Sequence, residues 1–123
     1  MVDEAYLTFV EHPWDSLELL DRPEVMLVRS MTKDYAQTAL RLGYAIASEE
    51  VVANLRRYQP DWSVNGLAQK AGICALDDSR YILAAKEAVA SSKNYLISEM
   101  GTLGFEIPSS AVSYTHLTLP TKA

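Results

Sequence analysis

The chain has 123 residues, 49% of them apolar and 22% charged, with a net charge of -5. That length and balance suit one small globular domain and exclude a disordered polymer. Its eleven basic residues are scattered among sixteen acidic ones, so no cationic patch forms and a nucleic-acid surface is excluded.

The amino terminus, Met1-Val2-Asp3-Glu4, has neither a basic start nor an apolar leader core, and no apolar run approaches the roughly 18 residues of a membrane span. A cytoplasmic protein without a membrane partner is the expectation. Val2 to Phe9 begins abruptly on a carboxylate pair, as though the strand delivering Asp3 started further upstream. By themselves these residues describe a solvated terminus. His12-Pro13-Trp14 predicts a loop, and Asp15 or Ser16 an N-cap for a short helix ending near Leu20. His12 has no second ligand at metal spacing and is expected to be structural or exposed. Trp14 is expected to be a packing anchor.

Asp21-Arg22-Pro23 ends that helix, and Val25 to Arg29 predicts a buried strand. Leu42 to Ala47 predicts a second one. Between them lies Ser30-Met31-Thr32-Lys33-Asp34-Tyr35-Ala36. An ammonium held at the end of a sheet is expected to be partly desolvated, which frees its amine to attack a carbonyl. Arg41, eight residues on, offers a planar fork suited to a phosphate. Thr32 is expected to cap the turn that follows, whereas Asp34 and Tyr35 suggest no role. Only about a dozen residues separate the two strands, near the lower limit for a parallel crossover, so the second is expected to run antiparallel.

Ser48 is a good N-cap, and Glu49, Glu50, Arg56 and Arg57 suit the two ends of a helix dipole, with Val51, Val52 and Leu55 on the apolar face. Gln59 to Ser63 predicts a loop, with Ser63 capping a helix from Val64 to about Leu76 whose Gly66 and Gly72 allow close packing. Cys74, the single cysteine, excludes an internal disulfide and a multi-cysteine metal site. It is expected to pack as a small hydrophobe in a reducing compartment. Asp77-Asp78-Ser79 starts a long helix to Met100. Ile82, Ala85, Val89, Ser92 and Leu96 form its predicted core stripe, with Lys86, Glu87, Lys93 and Asn94 outside it.

Three of these pieces stand in order. Asp3-Glu4-Ala5-Tyr6, then Ser30-x-Thr32-Lys33, then Arg41-Leu42-Gly43-Tyr44 resemble the class I/II aminotransferases of fold type I, which bind pyridoxal 5'-phosphate. Within them the chain looks most like the histidinol-phosphate aminotransferase branch, which also holds threonine-phosphate decarboxylases. The likeness runs from Val2 to about Ala111, and family members are longer.

The resemblance implies an α/β fold, with residues 1–76 as the later part of a mostly parallel large domain. Residues 77–101 would be a long interdomain helix and 102–111 the start of a small domain, with Phe105-Glu106-Ile107-Pro108 as its first strand. It assigns Lys33 to the coenzyme's aldehyde, Asp3 to its pyridine nitrogen, Tyr6 to its 3-oxygen, and Ser30 and Arg41 to its phosphate. Trp62 and Asn65 fall in a segment near the active site and subunit interface of relatives. Gln37 and Ala39 depart from an apolar residue and a glycine common in the family, which bears on the backbone near the phosphate.

The implied activity moves an amino group between an amino acid or amino-phosphate and a 2-oxo acid, in amino acid biosynthesis, by a homodimeric parent without a metal. A decarboxylase of the same branch and a non-enzymatic piece are the alternatives. The upstream phosphate cradle and a downstream substrate arginine are absent, so this polypeptide alone is expected to be inactive. From Val112 the text reads Val-Ser-Tyr-Thr-His-Leu-Thr-Leu-Pro-Thr and continues no pattern. It resembles a sequencing adapter translated in frame, and residues 112–123 are expected to be foreign to the fold.

Overall fold

The computed structural model describes residues 1–107. A β-branched, apolar run at Val25–Val28 builds the centre of a three-stranded sheet ordered β1 (Val2–Asp3), β2 (Met26–Ser30), β3 (Gly43–Ala47). β1 lies parallel to β2, with Val2 opposite Leu27 and Asp3 opposite Val28. β3 is antiparallel, from Met26 opposite Ala47 to Ser30 opposite Gly43, as the short connection requires. Leu27, between Val2 and Ile46, is wholly buried. Gly43 fits the end of that ladder because a Cβ there would stand 2.9 Å from the Arg29 carbonyl oxygen.

β2 passes directly into α1 (Met31–Asp34), one turn in which Met31, Thr32 and Asp34 are buried and Lys33 is exposed. Thr32 does not cap that turn. Its hydroxyl is 3.5 Å from the Leu42 carbonyl oxygen, tying the two ends of the loop together. Within the loop, Ala36 (φ 52) and Arg41 (φ 55) take the left-handed conformation that favours glycine. Ala39, which stands where the family pattern has glycine, does not; the strain falls on its neighbours.

The helices begin at the side chains that satisfy their first amides. Asp15 accepts from the Leu17 N–H at 3.1 Å and opens a short 3-10 helix, Ser16–Asp21. Ser48 accepts from the Val51 N–H at 3.4 Å and opens α2 (Glu49–Tyr58). For α3 (Gly66–Leu76) the cap is Asn65, which accepts from the Ala68 N–H at 2.8 Å. Ser63, expected there, instead accepts from the Gln59 amide at 2.7 Å. Gly72 lets α3 reach the sheet: a Cβ would lie 2.6 Å from Leu42 Cδ2 and 3.6 Å from Met31 Sδ. Gly66 has open space around it, so close packing is the business of one glycine. Cys74, on the far side of α3, is exposed rather than packed.

α4 (Ser79–Thr102) starts on Asp78, which accepts from the Arg80 and Tyr81 amides at 3.2 and 3.3 Å. Its sheltered face is not the expected stripe. Ile82, Ala85 and Val89 are half-buried, but Ser92 and Leu96 are exposed, while Lys86 and Lys93 are half-buried. Long aliphatic stems allow lysines such a position. Near its start, Tyr81 stacks on Tyr35 with ring centroids 5.9 Å apart, joining α4 to the loop after Lys33. Phe105–Ile107 forms no strand, and Val112–Ala123 lies outside the described residues. No helix among the described residues is long and apolar enough to cross a membrane.

Candidate functional site

A parallel β1–β2 pair puts the end of β1 beside the end of β2, and β3 enters from the same edge because it runs back. Asp3, Ser30 and the approach to Gly43 therefore share one edge of the sheet, at the carboxyl ends of the parallel strands, where open α/β sheets hold ligands. After Asp3 the chain turns sharply: the Asp3 carboxylate accepts the Ala5 N–H at 2.9 Å, and the Glu4 carbonyl accepts the Leu7 N–H at 3.1 Å. That turn presents Tyr6 to α1. The Lys33 Nζ stands 5.2 Å from the centroid of the Tyr6 ring, within cation–π range.

Lys33 and Tyr6 are thus in contact, with Asp3 and Ser30 on the same edge. The burial expected of Lys33 is not found. It is exposed, because it is the outward residue of a single turn, and an aromatic face is its neighbour. Ser30 is half-buried and its hydroxyl makes no capping bond to α1. Arg41, exposed and two residues before Gly43, donates from Nη1 to the Thr38 carbonyl at 3.2 Å. Asn65 is engaged in its cap, and Trp62, 96% exposed, borders a separate cavity with Gln59 and Val64. His12 is exposed.

Two cavities flank the edge. One, of about 420 Å³, is bordered by Asp3, Tyr6, Leu7, Val10 and Trp14. The other, of about 250 Å³, is lined by Ser16, Arg29, Asp34, Tyr44, Lys86 and again Trp14. Trp14 is 53% exposed, so it borders cavities rather than filling a core.

Beneath the edge lies a polar cluster that reading the sequence missed. Arg29 donates from Nε to Glu4 Oε2 at 2.9 Å, and the Glu4 side chain is 2% exposed. Burial works against the Arg29 charge, but the hydrogen bonds to Glu4 and Tyr44 outweigh it and hold the guanidinium above its ordinary pKa. Asp34, to which the sequence assigns no role, is buried with one carboxylate oxygen unpartnered. Burial raises its pKa, opposed by a hydrogen bond from Thr8 and the charge of Arg29. A carboxyl whose folded pKa is raised stabilises the fold below its unfolded pKa, and that contribution is lost as pH rises through the folded value. Asp34→Asn is accordingly expected to raise the melting temperature at neutral pH and to flatten its rise on acidification into the carboxylate range. Thermal melts across pH check this.

The whole chain, residues 1–123, matches the family model for aminotransferase class I and II. The chain belongs to that family, and its sheet and helices are part of a fold type I aminotransferase. It is 40% identical over 113 residues to histidinol-phosphate aminotransferase of Symbiobacterium thermophilum, covering 90% of this chain and 31% of that protein. Over 83 residues it is 43% identical to threonine-phosphate decarboxylase of Salmonella typhimurium, covering 66% of this chain and 23% of that one.

Among solved structures it is similar to histidinol-phosphate aminotransferase from Clostridium acetobutylicum, with a TM-score of 0.78, 29% identity, and 89% and 34% of the two chains covered. The Sinorhizobium meliloti enzyme, solved in complex with pyridoxal-5'-phosphate, shares the fold with a TM-score of 0.83 at 23% identity, over 89% of this chain and 30% of that one. The chain spans about a third of the length of these aminotransferases.

Proposed function

We propose that these residues are the lysine-bearing part of a pyridoxal-phosphate-dependent aminotransferase. In this reading residues 1–76 belong to its large domain, 77–101 form the interdomain helix and 102–111 begin the small domain. The observation that carries it is the contact of Lys33 with Tyr6 on the sheet edge that also presents Asp3, in a chain of the aminotransferase family. The donor set fits the coenzyme. An amine suits its aldehyde, a carboxylate its pyridine nitrogen, a phenol its 3-oxygen, and a hydroxyl with a guanidinium its phosphate.

When bound, the coenzyme supplies an electron sink for the substrate's α-carbon. Around it Asp3 keeps the pyridine nitrogen protonated, Tyr6 holds the 3-oxygen, and Ser30 and Arg41 hold the phosphate. Lys33 takes the proton from the substrate's α-carbon and delivers it to the coenzyme's C4′ carbon, which is the proton shift of amino transfer. The substrates on this reading are an amino acid or an amino-phosphate of the histidinol-phosphate kind and a 2-oxo acid acceptor, handled by a cytoplasmic homodimer. The 123-residue polypeptide by itself binds coenzyme weakly, since about two thirds of the relatives' length lies outside it.

The 43% identity to a threonine-phosphate decarboxylase supports a second reading, in which loss of CO2 replaces the proton shift. The test uses the complete polypeptide containing these residues, loaded with coenzyme. It is offered histidinol phosphate with a 2-oxo acid, and separately phosphothreonine. Amino transfer without CO2 release is expected; CO2 release from phosphothreonine would establish the lyase instead.

A further inference from the structure

We propose that the pair of buried Glu4 and half-buried Arg29, completed by Tyr44, is a clamp that sets the spacing between the Tyr6 and Lys33 ends of the site. The proposal rests on the function proposed above and adds residues that act through those it names. Each member of the cluster is next to, or close by, a site residue in sequence. Glu4 follows Asp3, Arg29 precedes Ser30, Asp34 follows Lys33, and Tyr44 follows Gly43 near Arg41. Because successive residues of extended chain face opposite ways, one set of neighbours can hold the edge while the other meets the ligand.

The clamp spans all three strands. Glu4, at the exit of β1, donates its N–H to the Val28 carbonyl at 2.8 Å and accepts from Arg29 Nε at 2.9 Å. Arg29 faces Tyr44 across the β2–β3 ladder, near enough for the phenol to act on the guanidinium charge. Mere adhesion does not call for charges here, since well-packed apolar residues commonly hold such a position as firmly as a buried ion pair. A charged fork adds direction: the Nε–H bond fixes where Glu4 sits, and Tyr6 lies two residues on. Glu4 Oε1 is left without a partner, so a single bond sets the orientation and the arrangement is sensitive to its loss.

The test uses the complete polypeptide with 3-fluorotyrosine at position 6, with and without coenzyme. In the unloaded protein the fluorine signal is expected to shift on Lys33→Ala, and Glu4→Gln is expected to shrink that response by more than half. In the loaded protein Glu4→Gln is expected to lower kcat by between about tenfold and a hundredfold, with KM for the amino donor nearly constant. It should also move the pH at which the bound coenzyme changes colour.

Should Glu4→Gln fail to fold, Tyr44→Phe, at a position 39% exposed, removes one hydroxyl from the clamp and is read the same way with smaller shifts. A lower melting temperature with the fluorine response, kcat and colour change all as in the parent would overturn the proposal and leave the pair a fold element only. If the parent takes up no coenzyme, the proposed function fails; the fluorine response still decides for or against the clamp.

Discussion

Lys33→Ala in the complete polypeptide is expected to lower kcat by at least about a thousandfold, because it removes both the amine that meets the coenzyme and the base at the substrate's α-carbon. The fold should be untouched. Lys33 is exposed and is the outward residue of α1, whose buried residues are Met31, Thr32 and Asp34. Its ammonium meets the Tyr6 ring, and at an exposed site such an interaction is worth roughly 0.5–1 kcal/mol. A melting temperature within a few degrees of the parent, alongside the collapse in rate, separates chemistry from stability. An equal fall in both would place Lys33 in the scaffold rather than in the site.

The opposite pattern is expected of Leu27→Ala. Leu27 is wholly buried, the second residue of β2, opposite Val2 of β1 and Ile46 of β3. Truncation removes apolar packing and leaves a cavity that the two flanking strands cannot both close, at a cost of about 2–5 kcal/mol. The damage concentrates where the site is built, since β1 has two residues and is held by its pairing with β2. Denaturant melts should show a lower midpoint with little change in slope, and coenzyme should partly restore it through binding to the native state alone. A midpoint equal to that of the parent would mean that the sheet is not the support described above.

What sequence alone disclosed was mostly local. The apolar run before Ser30, the short link that turns β3 back, and caps such as Ser48 and Asp15 depend on neighbours a few residues away. The order of Asp3, Tyr6, Ser30, Lys33 and Arg41 was legible as a resemblance. Side-chain placement was not. Lys33 was expected to be sheltered by the sheet, yet a single outward turn leaves it in solvent. Glu4 and Arg29 are 25 residues apart with no spacing to link them, and only the β1–β2 register joins them. Asp34 offered no role because its burial arises from the fold and one of the groups that acts on its carboxyl, Thr8, lies far back in the chain. In α4, Ser92 and Leu96 are exposed while Lys86 and Lys93, outside the periodic stripe, are half-buried, so the face the fold shelters is not the one the apolar period marks.

The most direct test of the central claim is chemical. The complete polypeptide, loaded with pyridoxal 5'-phosphate, is treated with borohydride and digested, and the coenzyme-bearing peptide is identified by mass. The modification is expected on Lys33 and nowhere else at comparable yield. Labelling of Lys70, Lys86 or Lys93 with Lys33 unmodified would contradict the account.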